Sequence, residues 1–194
     1  MKKIMLLVVC SLTFCQTGFL TKKDVSAFGL FISINKNIEH TFYDPITEFS
    51  FSYIPPFPLE FGVSYIENKN EWNQENFNIT YHFKGKSSFI NSFIKYNTGK
   101  KNYKLISDNL FSQSPEYLSH FSVGFYTGNN FYCSITHGIS EIENPGDDDE
   151  RIEESFFSLG KYFKVESLVV GIKYTAFKEL REEGYLGITL GTVF

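Results

Sequence analysis

The final ten residues, Tyr185 to Phe194, alternate side chains of two kinds. Leu186, Ile188, Leu190 and Phe194 fall on one side of an extended chain, and Gly187, Thr189 and Gly191 on the other. The same period of two recurs through the chain and yields ten runs: 28–35, 46–54, 59–67, 75–84, 89–97, 118–127, 131–142, 152–163, 168–177 and 185–194. Glycine, β-branched and aromatic residues fill these runs, and no stretch carries an apolar stripe at helical spacing. The fold class expected is therefore all-β and antiparallel.

The chain begins with Lys2 and Lys3, an apolar run from Ile4 to Phe14, and a small, polar stretch from Cys15 to Gly18. That order is the one a secretory leader has, and the run is too short to span a bilayer. Residues 1–18 are read as a signal peptide, with a second cleavage point as late as Ala27, and residues 19–194 as a single barrel domain. Removal of Lys2 and Lys3 takes the formal charge from −4 to −6. A balance of that sign, without clustered Lys and Arg, argues against a nucleic-acid partner. Of the three cysteines, only Cys133 lies outside the leader region, so the mature domain has no disulfide of its own.

Short and long connections take turns. Pro55 to Pro58, Gly85 to Ser88, Gly128 to Asn130 and Lys164 to Ser167 are short; residues 36–45, 68–74, 98–117, 143–151 and 178–184 are long. An even number of strands then places both termini on the rim that carries the short turns. Ten strands is the expectation, and eight remains open if runs 28–35 and 46–54 pair outside the wall or if the long loop conceals a misassigned element.

Separating the two faces of each run gives one side without charge: Phe28, Leu30, Ile32 and Ile34; Phe49, Phe51 and Tyr53; Phe77, Ile79, Tyr81 and Phe83; and similar sets further on. The other side collects Gly, Ser, Thr and Asn together with Glu48, Glu60, His82, Lys95, His120 and Lys173. Aromatic residues make up 18% of the chain, yet its mean hydropathy is only −0.16. Interleaved apolar and polar residues, with rings near the strand ends, fit a closed transmembrane barrel whose apolar face meets lipid. A soluble secreted barrel with its apolar face turned inward around a fatty ligand has the same period.

From the leader through all ten runs, the chain resembles the small outer-membrane β-barrel proteins of diderm bacteria. The most specific part of the likeness is the closing strand, where Leu186, Ile188, Leu190 and Phe194 resemble an assembly signal; Thr192 departs from it, standing where a larger apolar residue is usual. The resemblance implies residence in the outer membrane with both termini periplasmic. It further implies contact with outer-membrane lipid and lipopolysaccharide, passage by periplasmic chaperones and the barrel assembly machinery, and a monomer.

Function is less legible, since architecture does not supply an activity. Three hypotheses stand: a non-catalytic structural or surface-interaction protein acting through its external loops, a narrow porin-like channel lined by Glu48, Glu60, Lys95 and Lys173, and an outer-leaflet lipid-modifying enzyme. For the last, His120 and Ser122 point the same way from one strand, as a base and a nucleophile would. His137 falls on the apolar face by strict period, which suggests a place near the external rim or a bulge. The loop Asn144 to Glu150 clusters oxygen ligands but lacks the alternation of a dedicated calcium site. No catalytic residue, cofactor or metal site is assigned.

Overall fold

The computed structural model describes residues 26–38, 44–69, 71–84, 89–103, 115–142, 150–177 and 184–194. Ten strands form one closed antiparallel sheet: β1 (Ala27–Asn37), β2 (Ile46–Ile54), β3 (Leu59–Asn68), β4 (Trp72–Phe83), β5 (Ile90–Tyr103), β6 (Glu116–Thr127), β7 (Phe131–Ile142), β8 (Glu150–Val165), β9 (Leu168–Phe177) and β10 (Gly184–Val193). Each strand pairs with its neighbours in sequence, and β10 closes on β1 from Gly29↔Val193 to Asn37↔Tyr185. At the seam the amides and carbonyls of Phe28 and Phe194 bond reciprocally at 2.9 and 3.0 Å, so the ladder leaves no open edge there.

The pairing fixes the shape of the barrel. A row of direct partners runs from Ile32 through Phe49, Tyr65, Glu75, Lys100, Tyr117 and Glu141 to Arg151 on β8. Followed the other way, through Leu190 and Val170, it arrives at Phe163, twelve residues further along the same strand. A stagger of twelve over ten strands tilts them by about 42°, within the usual range for closed barrels. The first and last described residues, 26 and 194, lie on the rim that carries the tight turns at 55–58, 128–130 and 166–167, where the Val193 amide bonds to the Ser167 carbonyl.

The strands are longer than their apolar pattern suggests. β4 begins at Trp72 rather than 75, which shortens the expected long connection from Asn68 to Gln74 to residues 69–71, on the rim opposite the other short turns. Asn68 Nδ2 donates to Glu71 Oε2 there at 2.9 Å. β5 continues to Tyr103 and β8 starts at Glu150. The cause is the end of the apolar belt: above it the outward positions become Asn73 and Glu75, Thr98 and Lys100, and Glu153. The alternation of apolar with polar residues then vanishes although the hydrogen-bonded ladder goes on. Residues 104–114 and 143–149, the greater part of two of the expected long loops, lie outside the described residues, as does the leader through residue 25.

The orientation of the two faces makes this a transmembrane barrel. Leu30, Ile32 and Ile34 are exposed, as are Phe49, Phe51, Val63, Phe77, Ile172, Ile188 and Leu190, whereas Ser33, Glu48, Asn78, Thr80, Lys95 and Thr189 are buried. A water-soluble barrel requires the reverse arrangement. The exposed apolar band is roughly 20 Å tall once strand tilt is allowed for, close to the hydrocarbon thickness such barrels cross. Rings border it near the tight-turn rim, where Phe28 stacks on Tyr53 at 4.7 Å and Tyr81 meets Phe83 edge-on at 4.7 Å.

Candidate functional site

The interior has three layers, each set by which inward positions carry large side chains. Nearest the termini, Phe31, Phe93, Tyr126, Tyr132, Tyr162 and Val169 form a buried apolar floor. Tyr132 and Tyr162 stack with ring centroids 5.6 Å apart. Sequence reading missed this floor because each of these rings looks like one more aromatic in an aromatic-rich run. A usable signal was present in small residues on adjoining strands. A side chain at Gly191 would strike the Phe31 ring, one at Gly124 the Phe93 ring, and one at Gly171 the Tyr162 ring. Large and small inward residues thus interlock, which fills the narrow lumen.

The middle layer is polar. Ser33 bonds to Thr189 at 2.8 Å, Ser122 to Thr136 at 2.8 Å, and Ser158 to Thr175 at 3.1 Å. Glu48 Oε2 lies 3.4 Å from Lys173 Nζ across the lumen, although β2 and β9 are not neighbours in the sheet. Glu60 Oε2 lies 2.9 Å from His82 Nε2 between adjacent strands. His120 Nε2 approaches Glu154 Oε2 at 3.3 Å, a partner absent from the sequence reading. Lys95 is buried at mid-height. The six polar residues singled out from sequence are therefore all inside, five of them divided among three separate pairs rather than gathered at one centre.

The upper layer is a cap. Ile46, Ile66, Trp72 and Tyr185 cluster, with Tyr103 packed against them. Lys101 sits among them with its Nζ 4.7 Å from the Trp72 ring centre, 5.1 Å from that of Tyr103 and 3.5 Å from Glu116 Oε2. The Tyr103 hydroxyl donates to the same carboxylate oxygen at 2.6 Å. Cation–π and ionic contacts together neutralise an ammonium that the surroundings have removed from water.

Ser122 and His120, paired in sequence as nucleophile and base, face the interior, and the Ser122 hydroxyl bonds to Thr136 while the imidazole turns to Glu154. Both are buried, each 2% exposed. His137 occupies its regular place on the outer wall, paired with Phe121 and Ser155 without a bulge. Its Nδ1 lies 2.9 Å from Ser155 Oγ, at the upper edge of the apolar band. Among the described residues no group of three or more His, Cys, Asp or Glu side chains is placed to hold a metal ion. Leu186, Ile188, Leu190 and Phe194 all project outward from the closing strand and its end.

No protein-family profile and no curated protein sequence matches the chain. Among solved structures it is similar to the N-terminal β-barrel domain of Pseudomonas aeruginosa OprF, at 9% identity over 90% of this chain and 100% of that one, with a TM-score of 0.40. The outer membrane protein Omp33 of Acinetobacter baumannii matches at 10% identity over 89% of this chain and 100% of that one, TM-score 0.39. Outer membrane phospholipase A of Escherichia coli matches at 8% identity over 90% and 94% of the respective chains, TM-score 0.35. The chain thus resembles small outer-membrane β-barrel proteins, and the likeness extends to fold alone.

Proposed function

We propose that this chain is an integral outer-membrane barrel with a filled lumen, which acts as a structural or surface-interaction protein through the rim opposite its termini. The observation that supports this reading is the burial of the interior. A water-lined conduit leaves its wall accessible to water, yet Glu60, Lys101, Glu116 and Tyr132 are each 0% exposed. Among the described residues an apolar floor and a cap bracket the polar layer, and burying the charges between them is tolerable where they are paired. In the orientation proposed, the tight turns and both termini face the periplasm and the longer connections face outward.

Planar-bilayer recording tests this. Purified, folded protein is expected to show no unitary conductance steps, and Lys173→Ala is expected to stay silent because floor and cap remain. Steps in the wild-type protein that change when Lys173 or Glu60 is neutralised would establish a porin-like channel instead.

A second reading, an outer-leaflet lipid enzyme, draws on one observation: the Ser155–His137 contact on the outer wall at the height of lipid headgroups. Release of fatty acid from vesicles that disappears in Ser155→Ala and His137→Ala would support it, and equal release by all three proteins would dismiss it.

A further inference from the structure

Between the two borders of the apolar band, the outward-facing residues described carry a single charge, Lys161 on β8. Its direct cross-strand partners are Phe131 and Ile172, and Leu159 and Phe163 are its same-face neighbours along the strand. It is exposed, and its Nζ lies 5.1 Å from the centre of the Phe163 ring. An ammonium on the lipid face of a barrel costs about 2–4 kcal/mol at the midplane and much less at the border, so its direction matters. Phe163 lies two residues nearer the tight-turn rim, and the ammonium over that ring points the same way. The backbone of Lys161 stands about 8 Å inside the border on that side, which a stretched lysine side chain nearly covers. No outward acidic side chain is described within the band to pair with it.

From this geometry we propose that Lys161, with the faces of Phe163 and Phe131 as an apolar bed, is a binding site for the headgroup phosphate of an anionic phospholipid in the leaflet at the tight-turn rim. Chemically the fit is close: the lysine stem and the two rings lie along the acyl chains, and the ammonium meets the phosphate at the border. The leaflet is the periplasmic one if the orientation under Proposed function holds; the site itself depends only on the barrel spanning a bilayer. Occupation would fix how deep and at what angle the barrel sits, because the band is otherwise uncharged around its circumference.

The test folds the full mature chain into vesicles of phosphatidylcholine, and into the same vesicles with a minor fraction of phosphatidylglycerol. Urea unfolding is read by the mobility difference between folded and heated protein in detergent gels. The anionic lipid is expected to raise the folded-to-unfolded ratio of the wild type by about fivefold. That gain should vanish in Lys161→Met, persist in Lys161→Arg and reverse in Lys161→Glu. Lys161→Met removes a lipid-facing charge, so the variant is expected to fold at least as well as wild type in phosphatidylcholine. An equal gain in wild type and Lys161→Met overturns the site, as does an equal gain from inorganic phosphate added to phosphatidylcholine vesicles. Failure of the wild type to fold into either vesicle would instead refute the membrane-barrel reading, so the two failures are distinguishable.

Discussion

Replacing Lys101 by methionine removes the ammonium from the cap while keeping most of its volume. In the folded protein that group faces Trp72, Tyr103 and Glu116, and both Lys101 and Glu116 are fully buried. Breaking a buried ion pair by removing one partner strands the other charge, which costs about 3–5 kcal/mol. Here the Tyr103 hydroxyl still donates to the Glu116 carboxylate, so the lower end of that range, about 3 kcal/mol, is expected. The double variant Lys101→Met, Glu116→Gln removes both charges and keeps an acceptor for Tyr103, and should fall within about 1 kcal/mol of the wild type. Glu116→Gln alone strands the ammonium at a similar cost of about 3 kcal/mol, so the coupling between the two positions is about 5 kcal/mol. Urea titration in phospholipid vesicles, read by gel mobility for the whole barrel and by emission of Trp72 for the cap, measures all four corners of the cycle. A single-variant cost below about 1 kcal/mol would mean that the pair is wet, and the lumen open to the outside at this end. A double variant as damaged as the sum of the singles would likewise refute the dry cap.

Other consequences of the packing can be checked separately. A Cβ at Gly138 would meet the His120 ring and the Ser119 carbonyl, so Gly138→Val should cost about 1–3 kcal/mol in the same titration, whereas Ile135→Val, exposed on the wall nearby, should cost under about 1. Phe51→Arg places a charge on the lipid face and should destabilise by about 2–4 kcal/mol in vesicles. Ser50→Ala, one residue along and facing inward, should leave the midpoint nearly unchanged. Glu60→Gln keeps a hydrogen-bonding oxygen opposite His82, and is expected to be milder by at least 1 kcal/mol than Glu60→Leu, which leaves the imidazole without that acceptor.

The wall was legible in the sequence because it obeys one rule over most of its area: every second residue faces lipid and is apolar. Leu186, Ile188 and Leu190 show the rule in its plainest form, and the ten strands and their faces follow from it. Legibility ended where the outside medium changes. On β4 and β5 the ladder passes from hydrocarbon into water at Glu75 and Lys100, so the outward residues turn polar and the strands seem to stop early. The interior was harder for a different reason. Tyr132 and Phe156 are inward aromatics each next to an outward one, Phe131 and Phe157, and nothing in their type reveals direction; only the continuation of strict alternation from neighbouring residues does. Ion pairs were the least legible part. Glu48 meets Lys173 across the lumen and His120 meets Glu154 over an intervening strand, matches created by tilt and stagger rather than by sequence spacing.

The direction of the two faces is tested most directly at Cys133, which lies on the wall between Phe125 and Leu159 and is the free thiol described in the structure. A fluorophore attached there, in protein folded into vesicles of lipids brominated at defined acyl positions, reports its depth. Strong quenching by deep bromines, with none by iodide in the water, is the result predicted for an apolar face in hydrocarbon. Quenching by iodide without any effect of the bromolipids would contradict the inverted barrel on which the whole account rests.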